Sequence, residues 1–133
     1  MPNVTVVGAN NTTLTLPENG VANYNLAVAL ANAINTASNL NAVNYTTGTP
    51  PAPAAGKTNE LVLNSGSDLT GVIRTQTGQQ FLTDTATGTA TVVGSGNLGV
   101  IGGPGNLDFF DFSTGADTVA LGDGNNLAIF GSN

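Results

Sequence analysis

GSGNLGVIG (94–102), GPGNLDFFD (103–111), FSTGADTVA (112–120) and LGDGNNLAI (121–129) follow one another as units of nine. In this frame Gly94 stands over Gly103, Asn97 over Asn106 and Leu98 over Leu107. Asp108, Asp117 and Asn126 fall nine apart, as do Ile101, Phe110 and Val119. A short period of this kind marks a β-solenoid, in which each rung buries its apolar face against the next. Followed backward to about residue 70, the frame puts Ile73, Leu82, Thr91, Val100, Phe109, Thr118 and Leu127 in one column. Arg74, Thr83, Val92, Ile101, Phe110, Val119 and Ala128 form the next. Most are apolar or β-branched, as stacked strand positions require. The sequence therefore predicts a mainly β fold, a short β-solenoid (β-helix or β-roll-like) over 60–133, opening on the strand Glu60–Asn64.

The segment before it reads as an N-terminal strand–helix cap over 1–59. Residues 4–7 (VTVV) and 13–16 (TLTL) alternate and predict a hairpin. Pro17 ends that run, and Asn23 or Asn25 can cap a helix over 24–37, with Leu26, Leu30 and Ile34 at four-residue spacing beside Ala27 and Ala31, an amphipathic helix whose small-residue face can lie close on a sheet. Residues 46–59 (TTGTPPAPAAGKTN) predict a Pro-rich loop unable to pair regularly.

Composition narrows the function. Lys57 and Arg74 are the only bases against eight acids, and charged residues make up 8% of the chain. Two cations cannot neutralise a run of phosphates, so nucleic acid is excluded as a partner. A polar but weakly charged surface lacks the repulsion that keeps identical copies apart. With no Cys and no His, thiol and imidazole catalysis and the usual zinc and haem ligands are absent. No run of about 18 apolar residues predicts a membrane span. MPNVTVVG lacks the basic and apolar regions of a signal peptide, so export is expected by a route without one, or from a processed form.

GADTVALGDGNN (115–126) resembles the calcium-binding nonapeptide repeats of secreted bacterial proteins, consensus GGxGxDxUx. Asp117 falls on the aspartate position and Val119 on the apolar one, whereas Phe112 and Ser113 replace the leading glycines and Asn126 replaces the next aspartate. The resemblance implies calcium as an alternative ligand, at Asp108, Asp117 and Asp123. Each site would offer about one carboxylate where calcium favours several, so the expectation is a metal-free repeat with no cofactor. The order hairpin, Ala/Asn helix, Asp84-Thr85-Ala86-Thr87-Gly88 and Thr91-Val92-Val93-Gly94 also resembles the opening region of large alphaproteobacterial surface proteins. That implies an extracellular or cell-surface setting.

Other motifs carry less. Thr83, Thr85, Thr87, Thr89 and Thr91 would share one strand face, an array that on repeated rungs would suggest ice binding; here it does not recur. GSG (94–96) and GGPG (102–105) have no following lysine and read as solenoid corners. Asp108 and Asp111 alternate with Phe109 and Phe110, which sends both acids to solvent and leaves no catalytic pair. The expectation is a non-enzymatic structural protein whose partner is itself. Leu127, Ile129 and Phe130 on the last rung would pair with Val4, Val6 and Val7 of the next copy, with Phe109, Phe110, Phe112, Leu121 and Phe130 as the apolar column. A head-to-tail contact of this kind makes a filament, surface layer or biofilm matrix. The alternatives are a calcium-binding adhesin or secretion module, and an N-terminal piece of a longer repeat protein.

Overall fold

The computed structural model describes residues 2–46, 50–69 and 71–131. It is mainly β, a parallel β-solenoid of about five turns with one helix near the N-terminus. An antiparallel hairpin of β1 (Asn3–Val7) and β2 (Thr13–Pro17) comes first, followed by helix α1 (Gly20–Asn35). The strands β3 (Leu40–Tyr45), β4 (Thr58–Leu63), β6 (Phe81–Asp84), β8 (Gly99–Ile101) and β10 (Thr118–Ala120) then build one parallel sheet, in the order β10-β8-β6-β4-β3. The intervening strands β5 (Val72–Arg74), β7 (Ala90–Val93), β9 (Leu107–Asp111) and β11 (Leu127–Phe130) build the second, in the order β11-β9-β7-β5.

Successive units of nine therefore alternate between two sheets, and a full turn takes two of them. This corrects the single-column reading. Leu82 does pair with Val100, but Val100 pairs with Val119, and in the other sheet Ile73 pairs with Val92 and Val92 with Phe109. The corners vary by a residue or two, and the apolar faces hold the register against that drift because a one-residue slip would turn every core side chain outward. Inside lie Leu61, Leu63, Leu69, Ile73, Leu82, Val92, Leu98, Val100, Leu107 and Phe109, all buried. Phe109 alone of the expected aromatic column is fully buried; Phe110 and Leu121 are half-buried, and Phe112 and Phe130 are exposed. Inner positions near the sheet centres leave room for one large ring, and the other aromatics fall on outward or terminal positions.

The helix starts four residues earlier than expected and lies on the sheet by its small-residue face. Ala27, Ala31 and Ile34 are its buried positions, while Leu26 is exposed. Small side chains let α1 lie close on the outer face of the five-stranded sheet, against Ile101 and Ala120, with Val4, Val6 and Leu16 of the hairpin in the same cluster. Gly99 serves that approach, since a Cβ there would meet Leu30 and Phe81. At its start, Asn19 N–H donates to Leu121 O (3.0 Å) and Asn23 Oδ1 accepts Leu121 N–H (2.9 Å). The helix begins beside the last turn and ends beside the first. Its 16 residues span about 24 Å, slightly more than five strands at roughly 4.8 Å spacing. The cap is a lateral brace running the length of the solenoid. The parallel sheet itself begins at β3, inside the segment read as cap.

Candidate functional site: an open solenoid end

The corners explain the period of nine. Asn97 Oδ1 accepts Ala116 N–H (2.7 Å), while Asp117 Oδ1 accepts Leu98 N–H (3.0 Å). On the other sheet Asn106 Oδ1 accepts Asn125 N–H (2.8 Å), and Asn126 Oδ1 accepts Leu107 N–H (2.9 Å). Each corner is thus a reciprocal clasp in which neighbouring rungs satisfy each other's backbone donors through amide or carboxylate side chains. Earlier rungs use the same device with different residues: Gln80 Oε1 accepts Asn59 N–H (2.6 Å), Thr75 Oγ accepts Ser95 N–H (3.0 Å) and Asp68 Oδ1 accepts Thr89 N–H (2.8 Å).

The three aspartates singled out for calcium are not brought together. Asp108 lies on the outward face of β9, in register with Thr91 and Leu127. Asp117 sits at a corner, and Asp123 is exposed in the turn after β10, its N–H bonded to Gly103 O (2.9 Å). Among the described residues no three acidic side chains are grouped to hold a metal ion. At Asp117 the aspartate position of the repeat is engaged by a backbone donor, and Asn126 does the same without a charge.

Asp117 instead faces Asp111, a residue expected in solvent and found buried. Asp111 shares parity with Leu107 and Phe109 on β9, so it points inward, into space that Gly94 leaves open. Burial pushes its carboxyl up, but hydrogen bonds from Ser113 and Asp117 outweigh that and hold it below its usual range. Asp117 is pushed up to about 6, by burial first and then by its hydrogen bond and charge repulsion with Asp111. Pattern reading missed the inward Asp111 by sending Asp108 and Asp111 to one face, although positions three apart on a strand point opposite ways.

The self-assembly residues divide. Val4 and Val6 are buried beneath the helix, and Val7 is half-buried. The outer edge of β1 is engaged: Val7 N–H donates to Asn35 Oδ1 (2.8 Å), and Asn35 Nδ2 donates to Thr5 O (3.2 Å). The expected free edge at Val4–Val7 is therefore closed by a helix side chain. Leu127, Ile129 and Phe130 are exposed. Between β10 and β11 the core itself opens into a groove of about 420 Å³, lined by Leu26, Asp117, Val119, Leu121, Ala128 and Phe130. Val119 and Ala128 continue the inner columns of Val100 and Phe109, and among the described residues no strand stacks beyond them.

The opposite end is different. Tyr45, Leu69 and Ile73 of the first turns are buried. Pro51, Ala52 and Pro53 lie beside Asn41 and Val43, on a side of β3 that has no strand of the second sheet opposite it. The Pro-rich reading is thus described from Pro50 onward, Thr47–Thr49 lying outside the described residues. The threonine array is dispersed: Thr83 is in β6, Thr91 in β7, and Thr85–Thr89 make the corner between them. Scans against family models, curated proteins and solved structures found no match to this chain.

Proposed function

We propose that the protein is a non-enzymatic structural component of an extracellular or cell-surface matrix, and that it self-assembles through the open end formed by β10 and β11. The observation that carries this reading is the groove itself: among the described residues the inner columns end at Val119 and Ala128, beside the exposed Leu127, Ile129 and Phe130. Unpaired parallel edges and an uncovered apolar column together call for another β rung, and burying such side chains contributes roughly 1.5–3 kcal/mol each. The 8% charged composition leaves little to oppose contact between copies. The resemblance to nonapeptide-repeat surface proteins supports the extracellular setting. Lateral bracing by α1 and by metal-independent corner clasps suits a scaffold that needs no cofactor.

The test is negative-stain electron microscopy with light scattering on the purified chain and on Phe130→Asp, each with and without a calcium chelator. Filaments or oligomers that persist in chelator and are lost in the variant are expected. A wild-type chain that stays monomeric at high concentration would overturn the reading, and assembly lost only in chelator would turn it toward the calcium-dependent adhesin.

A further inference from the structure

We infer that the strand docking on the open end is β3 of a second copy, with Asn41 completing the clasp over Asp117; this rests on the self-assembly reading above. The five-stranded sheet has two terminal strands, β10 and β3, and all its strands run in parallel. Stacking copies head to tail therefore continues the sheet with its own hydrogen-bond pattern, whereas joining two open ends would force an antiparallel pair.

The register follows from the inner column, which runs Val43, Leu61, Leu82, Val100 and Val119. Placing Val43 of a second copy above Val119 fills the groove with an apolar side chain. It also sets Ala42 above Thr118, and Asn41 above Asp117. The Asn41 column is the clasp column. It holds Asn59, Gln80, Leu98 and Asp117, and within it Gln80 and Asp117 each reach back to the N–H of the rung before. An asparagine arriving over Asp117 meets the next N–H of that series with the side-chain type the chain uses elsewhere. On the second sheet the arriving surface is Pro51–Pro53, which has no N–H to donate from its prolines and meets Ile129 and Phe130 by apolar contact alone. The carboxyl pair Asp111–Asp117 would lie directly beneath this joint.

The chain has no cysteine, so an engineered pair reports the joint directly. Neighbouring strands hold facing Cα atoms about 5 Å apart, within disulfide range. Under mild oxidation, Thr118→Cys mixed with Ala42→Cys is expected to give a covalent dimer, and the double variant a ladder of multimers. Neither single variant alone is expected to cross-link. Asn41→Ala is expected to weaken association about fivefold or more, read by sedimentation alongside its melting curve. Oligomers that form without this cross-link, or Thr118→Cys dimerising by itself, would overturn the inference and leave self-assembly standing. A monomeric wild type would remove both.

Discussion

Asp117 and Asn126 do the same job nine residues apart: each side-chain oxygen accepts the backbone N–H of the residue nineteen positions earlier, Leu98 and Leu107 respectively. One sits on each sheet, so the period of nine is the spacing between corners rather than between stacked strands. The position that aspartate occupies in the calcium-binding repeats here clasps the neighbouring rung through a backbone N–H.

It follows that the charge at 117 is dispensable and the oxygen is not. Asp117→Asn is expected to keep the fold within about 1 kcal/mol, while Asp117→Ala leaves the Leu98 N–H without its acceptor and costs about 1–3 kcal/mol. Urea unfolding of the two variants distinguishes them. A loss for Asn as large as for Ala would assign the position to charge instead.

Stability is expected to fall as pH rises from about 5 to 9. Glu18 is fully buried with both carboxyl oxygens unpartnered, and burial pushes it up to about 9. Glu60 and Asp84, also buried, are each pushed up to about 7 by burial, against the opposing hydrogen bonds from Thr83 and from the Ala86 N–H. Asp117 moves the same way and Asp111 the other. For the raised groups the folded state holds protons that the unfolded chain has released, so their contribution is complete below about pH 4.5 and is lost as pH rises through the folded values. Melting temperatures measured across this range should decline, and Glu18→Gln should flatten the upper part of the curve. A stability that increases toward pH 9 would contradict the burial of these acids.

Gly103 and Gly122 allow the corners to stack at backbone distance. A Cβ on Gly103 would run into Asp84 O, and one on Gly122 into Gly103 O. Gly103→Ala should therefore destabilise by about 2–4 kcal/mol, since the obstruction is backbone and cannot rotate away. Gly66→Ala, with nothing within 4 Å of the added carbon, is the control and should be neutral within roughly 0.5 kcal/mol. Equal effects at both positions would count against the stacked corners.

Asn35 closes the edge of β1 with two hydrogen bonds. Asn35→Ala should lower stability by about 1–2 kcal/mol and speed amide exchange at Val7 in particular. Unchanged protection there would show that the edge is covered by something else.

Much of the fold is legible in the residues because its causes are local. The alternation of Val4–Val7 and Thr13–Leu16 marks the hairpin, Pro17 ends it, and the spaced glycines and asparagines of 94–126 mark the corners. The helix was legible in existence and in its small-residue face but not in its start: Ala27 and Ala31 meet the sheet near Gly99 and Ile101, and Leu26 is left exposed. The inward turn of Asp111 was open to local reading, since positions three apart on a strand face opposite ways and Asp108 and Asp111 cannot both point to solvent.

The sequence by itself determined a weakly charged, cysteine-free β-solenoid with a period of nine, because composition, turn residues and apolar alternation act over a few neighbouring residues. Only the tertiary structure decided that two sheets share that period, that Asn35 bonds to β1 at Thr5 and Val7, and that among the described residues no strand stacks beyond β10 and β11. Those outcomes depend on contacts between residues tens of positions apart, whose free energy is settled by packing and by which backbone donors remain to be satisfied.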